Sequence, residues 1–97
     1  MMRLVFTPLA IQDLEAIGDY IAANNPARAV SFIQELRKRC AMLVKRPQSY
    51  RARPELGSGI HSCVHRNYII FFAADSNVIR VIRILHSAQD LSAHFQK

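Results

Sequence analysis

The hydrophobic pattern of this chain changes period once, at Pro47, and that change restricts the fold more than any other feature. Before it, Ala10, Leu14, Ile17 and Ile21 recur at helical spacing, with Gln12, Asp13, Glu15 and Asp19 largely off that stripe. Thr7 suits an N-cap and Pro8 a first helical residue, where a missing N–H costs nothing. A first helix is therefore expected over about 8–23. Asn24-Asn25-Pro26 stops it and starts a second over about 26–45, on the stripe Ala29, Ile33, Leu36, Cys40 and Leu43. Two helices joined by so short a link pack as an antiparallel hairpin.

After Pro47 the residues are those of strands. The stretch 46–59, with its prolines, glycines and arginines, reads as a loop. Residues 60–64, 68–74 and 78–85 are β-branched and aromatic, separated by His65-Arg66-Asn67 and Asp75-Ser76-Asn77. They form an antiparallel meander, with Arg3-Leu4-Val5-Phe6 as a further strand at an edge. The last two strands are apolar on nearly both faces, so each face needs a cover. Arg80 and Arg83 are an odd number of residues apart, which puts them on opposite faces of a regular strand. Residues 88–95 add a short final helix. The expected class is α+β: an antiparallel helical hairpin on a small antiparallel sheet, as one domain over 1–97.

Composition agrees with a packed domain, since 51% of the 97 residues are apolar. Cys40 falls in a helical pattern and Cys63 in a strand pattern, where cysteine acts as a small buried hydrophobe. No paired short spacing of cysteine and histidine marks a zinc site, and no glycine-rich phosphate loop is present. Neither a metal nor a cofactor is expected. The longest apolar run, Tyr68 to Ala74, is far too short to span a membrane, and the opening residues lack a secretory segment. A cytoplasmic protein is expected.

The formal charge of +6 is unevenly placed. Arg37, Lys38, Arg39, Lys45, Arg46, Arg51 and Arg53 follow one another with no acid between them. Such a block implies an anionic partner, nucleic acid or an acidic protein segment, or simply a solvated face. A second grouping is Arg53, Glu55 and Leu56 in the loop, with Arg66, Tyr68, Arg83, His86 and Asp90. An arginine inside an apolar strand needs acceptors, and Glu55 or Asp90 is the expected partner of Arg83.

These residues resemble the ParE toxins of the RelE/ParE toxin–antitoxin superfamily. The likeness runs through the opening strand and Thr7-Pro8, Asp13-Leu14, Tyr20-Ile21 and Pro26-Ala27-Arg28-Ala29. It continues through Arg53-Pro54-Glu55-Leu56 and Tyr68-Ile69-Ile70-Phe71, and closes on Arg83-Ile84-Leu85-His86 with Asp90. The resemblance implies a toxin held inactive by a small ParD-like antitoxin, whose amphipathic C-terminal segment wraps it. It implies poisoning of DNA gyrase by binding, with no catalytic residue. RelE-like relatives instead cut mRNA on the ribosome, which requires a base, an acid and cations around a pentavalent phosphate. Arg53, Arg66, Arg83 and His86 offer a partial set for that chemistry. The RelE-like cutters add a tyrosine or histidine near the C-terminus, whereas here the last tyrosine is Tyr68 and the tail after Asp90 offers only His94 and Lys97. A basic nucleic-acid-binding module is the third reading.

Overall fold

The computed structural model describes residues 2–75 and 77–88. In chain order the elements are β1 (Arg3–Phe6), α1 (Pro8–Ala22), α2 (Pro26–Met42), β2 (Arg51–Ala52), β3 (Ile60–His65), β4 (Tyr68–Ala74) and β5 (Val78–His86). Both expected caps are present. Thr7 Oγ1 accepts from the Ala10 N–H at 3.1 Å, and Asn25 Oδ1 accepts from the Arg28 N–H at 3.0 Å. α2 stops before its apolar stripe does. The Leu43 N–H turns back to the Cys40 carbonyl at 3.0 Å and the Lys45 N–H to that of Met42, so the chain tightens to three-residue turns there. Leu43 stays fully buried all the same.

The sheet runs β1-β5-β4-β3-β2. β2 to β5 form the antiparallel meander, and β1 lies parallel to β5, with Arg3 opposite Val78 and Phe6 opposite Val81. The expected loop contains one short pairing, Arg51 with Ser62 and Ala52 with His61, which makes β2 an edge. The hairpin covers one face. Leu14, Ile17, Phe32, Leu36 and Leu43 pack there against Ile70, Phe72, Ile79, Val81 and Ile84. Burial of each such side chain contributes about 1.5–3 kcal/mol. Cys40 and Cys63 are free thiols inside this core, as their apolar settings predict. Apart from Ala88, the stretch expected to form a final helix lies outside the described residues, as does Asp90.

Two features of β5 depart from the sequence reading. Phe71 faces Arg83 and Phe72 faces Val81, so Ile82 is an extra residue, a β-bulge. The bulge resets the alternation. Arg80 lies opposite Ala73 and Arg83 opposite Phe71, so the two arginines share a face rather than occupying opposite ones. Thr7 fastens the bulge, with its hydroxyl donating to the Ile82 carbonyl at 2.7 Å and its N–H to that of Val81 at 3.0 Å.

The second departure is the partner of Arg83. β1 pairs with β5 only as far as Val81, and α1 crosses the edge beyond. Asp13 of α1 receives Arg83 Nε at 2.8 Å and Nη2 at 2.9 Å, and the same carboxylate accepts the backbone N–H of Ile84 at 2.9 Å. Glu55 is turned to Arg53 instead. Both side chains of the Asp13–Arg83 pair are about seven-eighths hidden, at 13% and 14% exposure. Removing one partner would strand a buried charge and an edge N–H together. Asp13→Ala is expected to cost about 3 kcal/mol or more in urea denaturation. A loss under about 0.5 kcal/mol, the level of an ordinary surface change, would show the pair to be dispensable.

Candidate functional site

α2, the end of α1 and the tips of β4 and β5 enclose a cleft of about 730 Å³, within the usual size of small-ligand sites. Its wall carries Tyr20, Phe32, Tyr68 and His86, and its rim carries Arg28 and Arg66. The register creates the aromatic group. Tyr68 pairs directly with His86 across β4 and β5, and their rings meet edge to face at 5.3 Å. Phe32, from the buried stripe of α2, lies 5.6 Å from Tyr68 and 5.9 Å from His65. Burial pushes the Tyr68 phenol upward, and the neighbouring Tyr20 adds to the shift, so Tyr68 stays protonated at neutral pH. His86 Nδ1 accepts from the Ala88 N–H at 3.1 Å, which in the neutral ring leaves the proton on Nε2.

One carboxylate organises the rim. Glu35 accepts Arg28 Nη1 at 2.6 Å and Arg66 Nε at 3.1 Å, with His65 Nε2 at 3.3 Å. The Arg28 guanidinium also rests 5.0 Å above the Phe32 ring and donates to Ser31. These contacts, led by Arg28 and then Arg66, hold the Glu35 carboxyl down at about 2. Arg66 reaches Glu35 from the two-residue turn between β3 and β4, and its φ is +54°. Glycine is the default there. A two-residue hairpin turn requires a positive φ, and a non-glycine residue held in such a region costs about 1–3 kcal/mol.

The residues singled out in the sequence divide into two groups. Arg66, Tyr68 and His86 come together in the cleft. Arg53, Glu55 and Leu56 do not join them. Arg53 lies over Phe71, 5.7 Å from its ring, on the sheet face away from the hairpin core, and pairs with Glu55 at 2.6 Å. Gly57 closes that loop at φ +148°, where a Cβ would come within 2.9 Å of Ile60 Cδ1. Arg83 lies opposite the same Phe71 and is held by Asp13. Leu56 is half-buried in the loop.

A family model described as the ParE toxin of the type II toxin–antitoxin system, parDE, matches residues 4–91. The chain belongs to that family. A solved chain from the chromosomal ParDE toxin–antitoxin system of P. aeruginosa is 25% identical, with a TM-score of 0.77 over 89% of this chain and 96% of that one. No curated protein matches it. In this ParE-type toxin, Tyr20, Arg28, Phe32 and Glu35 were missed as cleft residues by the sequence grouping. Tyr20 carried a signal, as an aromatic off the apolar stripe of α1, and it is 77% exposed. Glu35 carried none, because its partners sit up to 31 residues away.

Among the described residues no group of three histidines, cysteines or acids is placed to hold a metal ion. None of their helices is long and apolar enough to cross a membrane. The Glu35 cluster makes a prediction about acid. A carboxyl held at about 2 in the folded state stabilises the fold at neutral pH, and that contribution is lost as pH falls from the ordinary carboxylate range through about 2. Glu35→Gln is expected to flatten this part of the acid limb in denaturation series between about pH 5 and about pH 2. Wild type and Glu35→Gln declining in parallel would contradict it.

Proposed function

We propose that this ParE-type toxin acts in the cytoplasm, as a single domain over 1–97, by binding DNA gyrase stoichiometrically and blocking it. A ParD-like antitoxin holds it inactive. The observation that carries binding over phosphodiester cleavage is the division of the cations between the sheet's two faces. Arg53 and Arg83 flank Phe71, whereas Arg66 and His86 line the hairpin-side cleft. Cleavage needs such groups around a single phosphate. The state of the cleft adds support, since the His86 Nδ1 lone pair is already engaged by the Ala88 N–H.

The antitoxin reading draws on the outer surface of the hairpin. A groove of about 370 Å³ between α1 and α2 is lined by Gly18, Ala29, Val30, Ile33, Gln34 and Arg37. Leu9, Ile11, Val30 and Met42 are exposed on the same two helices. An amphipathic segment can lay its apolar side there and its carboxylates against Arg37, Lys38 and the basic run that follows. One observation favours the second reading, ribosome-dependent mRNA cleavage: Arg66, Tyr68 and His86 do share a cleft.

Two assays with the purified toxin decide. Graded toxin is expected to reduce gyrase supercoiling in proportion to its molar ratio to the enzyme, and addition of the antitoxin is expected to restore it. Messenger RNA on translating ribosomes is expected to remain uncut. Supercoiling left intact while ribosome-bound mRNA is cleaved would assign the protein to the RNase branch.

A further inference from the structure

We propose that the cleft between the hairpin and the β4–β5 end is a nucleotide-binding site, taking a base against Tyr20 and Tyr68 and a phosphate against Arg28 and Arg66. This goes beyond gyrase binding and does not depend on it. The cation pair is prearranged. Arg28 and Arg66 belong to different elements, yet Glu35 fixes both, and Arg66 uses only its Nε there. Its two terminal nitrogens are left as donors at the rim of the cleft, and Arg66 is 60% exposed. Two guanidiniums around one carboxylate leave a net positive charge at the rim, with His65 adding to it when protonated. A guanidinium fork held in place matches phosphate oxygens with little ordering left to do.

The φ of Arg66 is the second observation. A two-residue hairpin turn needs a positive φ at its first central residue, which glycine meets without cost. Arginine stands there instead, carrying its guanidinium to the rim of the cleft. The pairing of Arg66 Nε with one Glu35 oxygen at 3.1 Å anchors the turn, while Arg28 takes the other oxygen at 2.6 Å, so a single carboxylate holds both guanidiniums in place. The third observation is the wall. Tyr20 stands open to solvent beside Tyr68, and the pair of Tyr68 and His86 presents ring edges and faces within the same cleft. Flat aromatic surface next to arginine is the chemistry of base stacking with phosphate capture. A carboxylate of an acidic peptide offers two coplanar oxygens to two forks that come from different elements. A phosphate offers three, spread tetrahedrally.

Arg66→Gly gives a clean test, because glycine relaxes the positive φ while deleting the guanidinium. Calorimetric titration of the full chain with 5′-AMP, adenosine and inorganic phosphate is the measurement. The expected result is saturable AMP binding with Kd about 1 mM or tighter. Adenosine and phosphate are each expected to bind about tenfold more weakly than AMP. Arg66→Gly, melting no lower than wild type, is expected to lose about tenfold for AMP and to leave adenosine unchanged. Tyr20→Ala is expected to weaken AMP and adenosine alike. Three outcomes overturn the proposal: no AMP binding in that range, AMP binding unaffected by Arg66→Gly, or tighter binding of an acidic, tyrosine-containing tetrapeptide than of AMP. Loss of gyrase inhibition bears on none of these readouts.

Discussion

A single carboxylate at the uncovered edge of β5 holds the two layers of this protein in register. β1 is too short to cover the whole outer edge of β5, and Asp13 covers the part it leaves. The carboxylate accepts from a backbone N–H that would otherwise be orphaned and from both arms of Arg83. In so secluded a place, a charge is tolerable only when paired and fully hydrogen-bonded. Because Asp13 sits in the middle of α1, the contact fixes where that helix crosses the sheet. α2 follows through the tight link at Asn25, and the floor of the cleft, Phe32, follows from α2. Thr7 secures the same junction from the other side through the bulge.

The sequence revealed what is encoded locally. Helix starts depend on side chains reaching three residues ahead, as Thr7 and Asn25 do, and apolar stripes record burial at a fixed period. The strands of the meander were equally readable from β-branched runs and polar links. The bulge was not, because one inserted residue leaves composition unchanged while shifting every later side chain to the other face. Asp13 looked like a solvated acid, since it lies off the apolar stripe, and its partner is 70 residues away. Arg53 and Tyr68 are close in the chain but separated by the thickness of the sheet. Proximity in sequence is a poor guide once strands alternate their faces.

Charge follows from the same economy of acids. Asp13, Glu35, Glu55 and Asp75 each pair with an arginine or, for Glu35, with two arginines and a histidine. The run from Arg37 to Arg51 has no such partner among the described residues. Arg37 and Arg39 rest instead over the rings of Phe6 and Tyr50. The positive field of the molecule is therefore concentrated on one end of the hairpin and the neighbouring sheet edge. Encounters guided by that field weaken as salt shortens its reach, to about 8 Å at physiological ionic strength.

The position of β5 also governs when the chain can assume its shape. It lies second in the sheet, between the first strand and the rest, although it is the last strand in the described chain. During synthesis, residues 8–42 have helical propensity but no surface on which to bury their apolar stripe, and β1 has no neighbour. The Tyr68–His86 wall of the cleft and the whole Asp13 junction close only when 78–86 arrives. Such long-range closure slows folding and makes it abrupt. A growing ParE chain is thus unarmed for most of its translation, and it becomes a toxin in one late step.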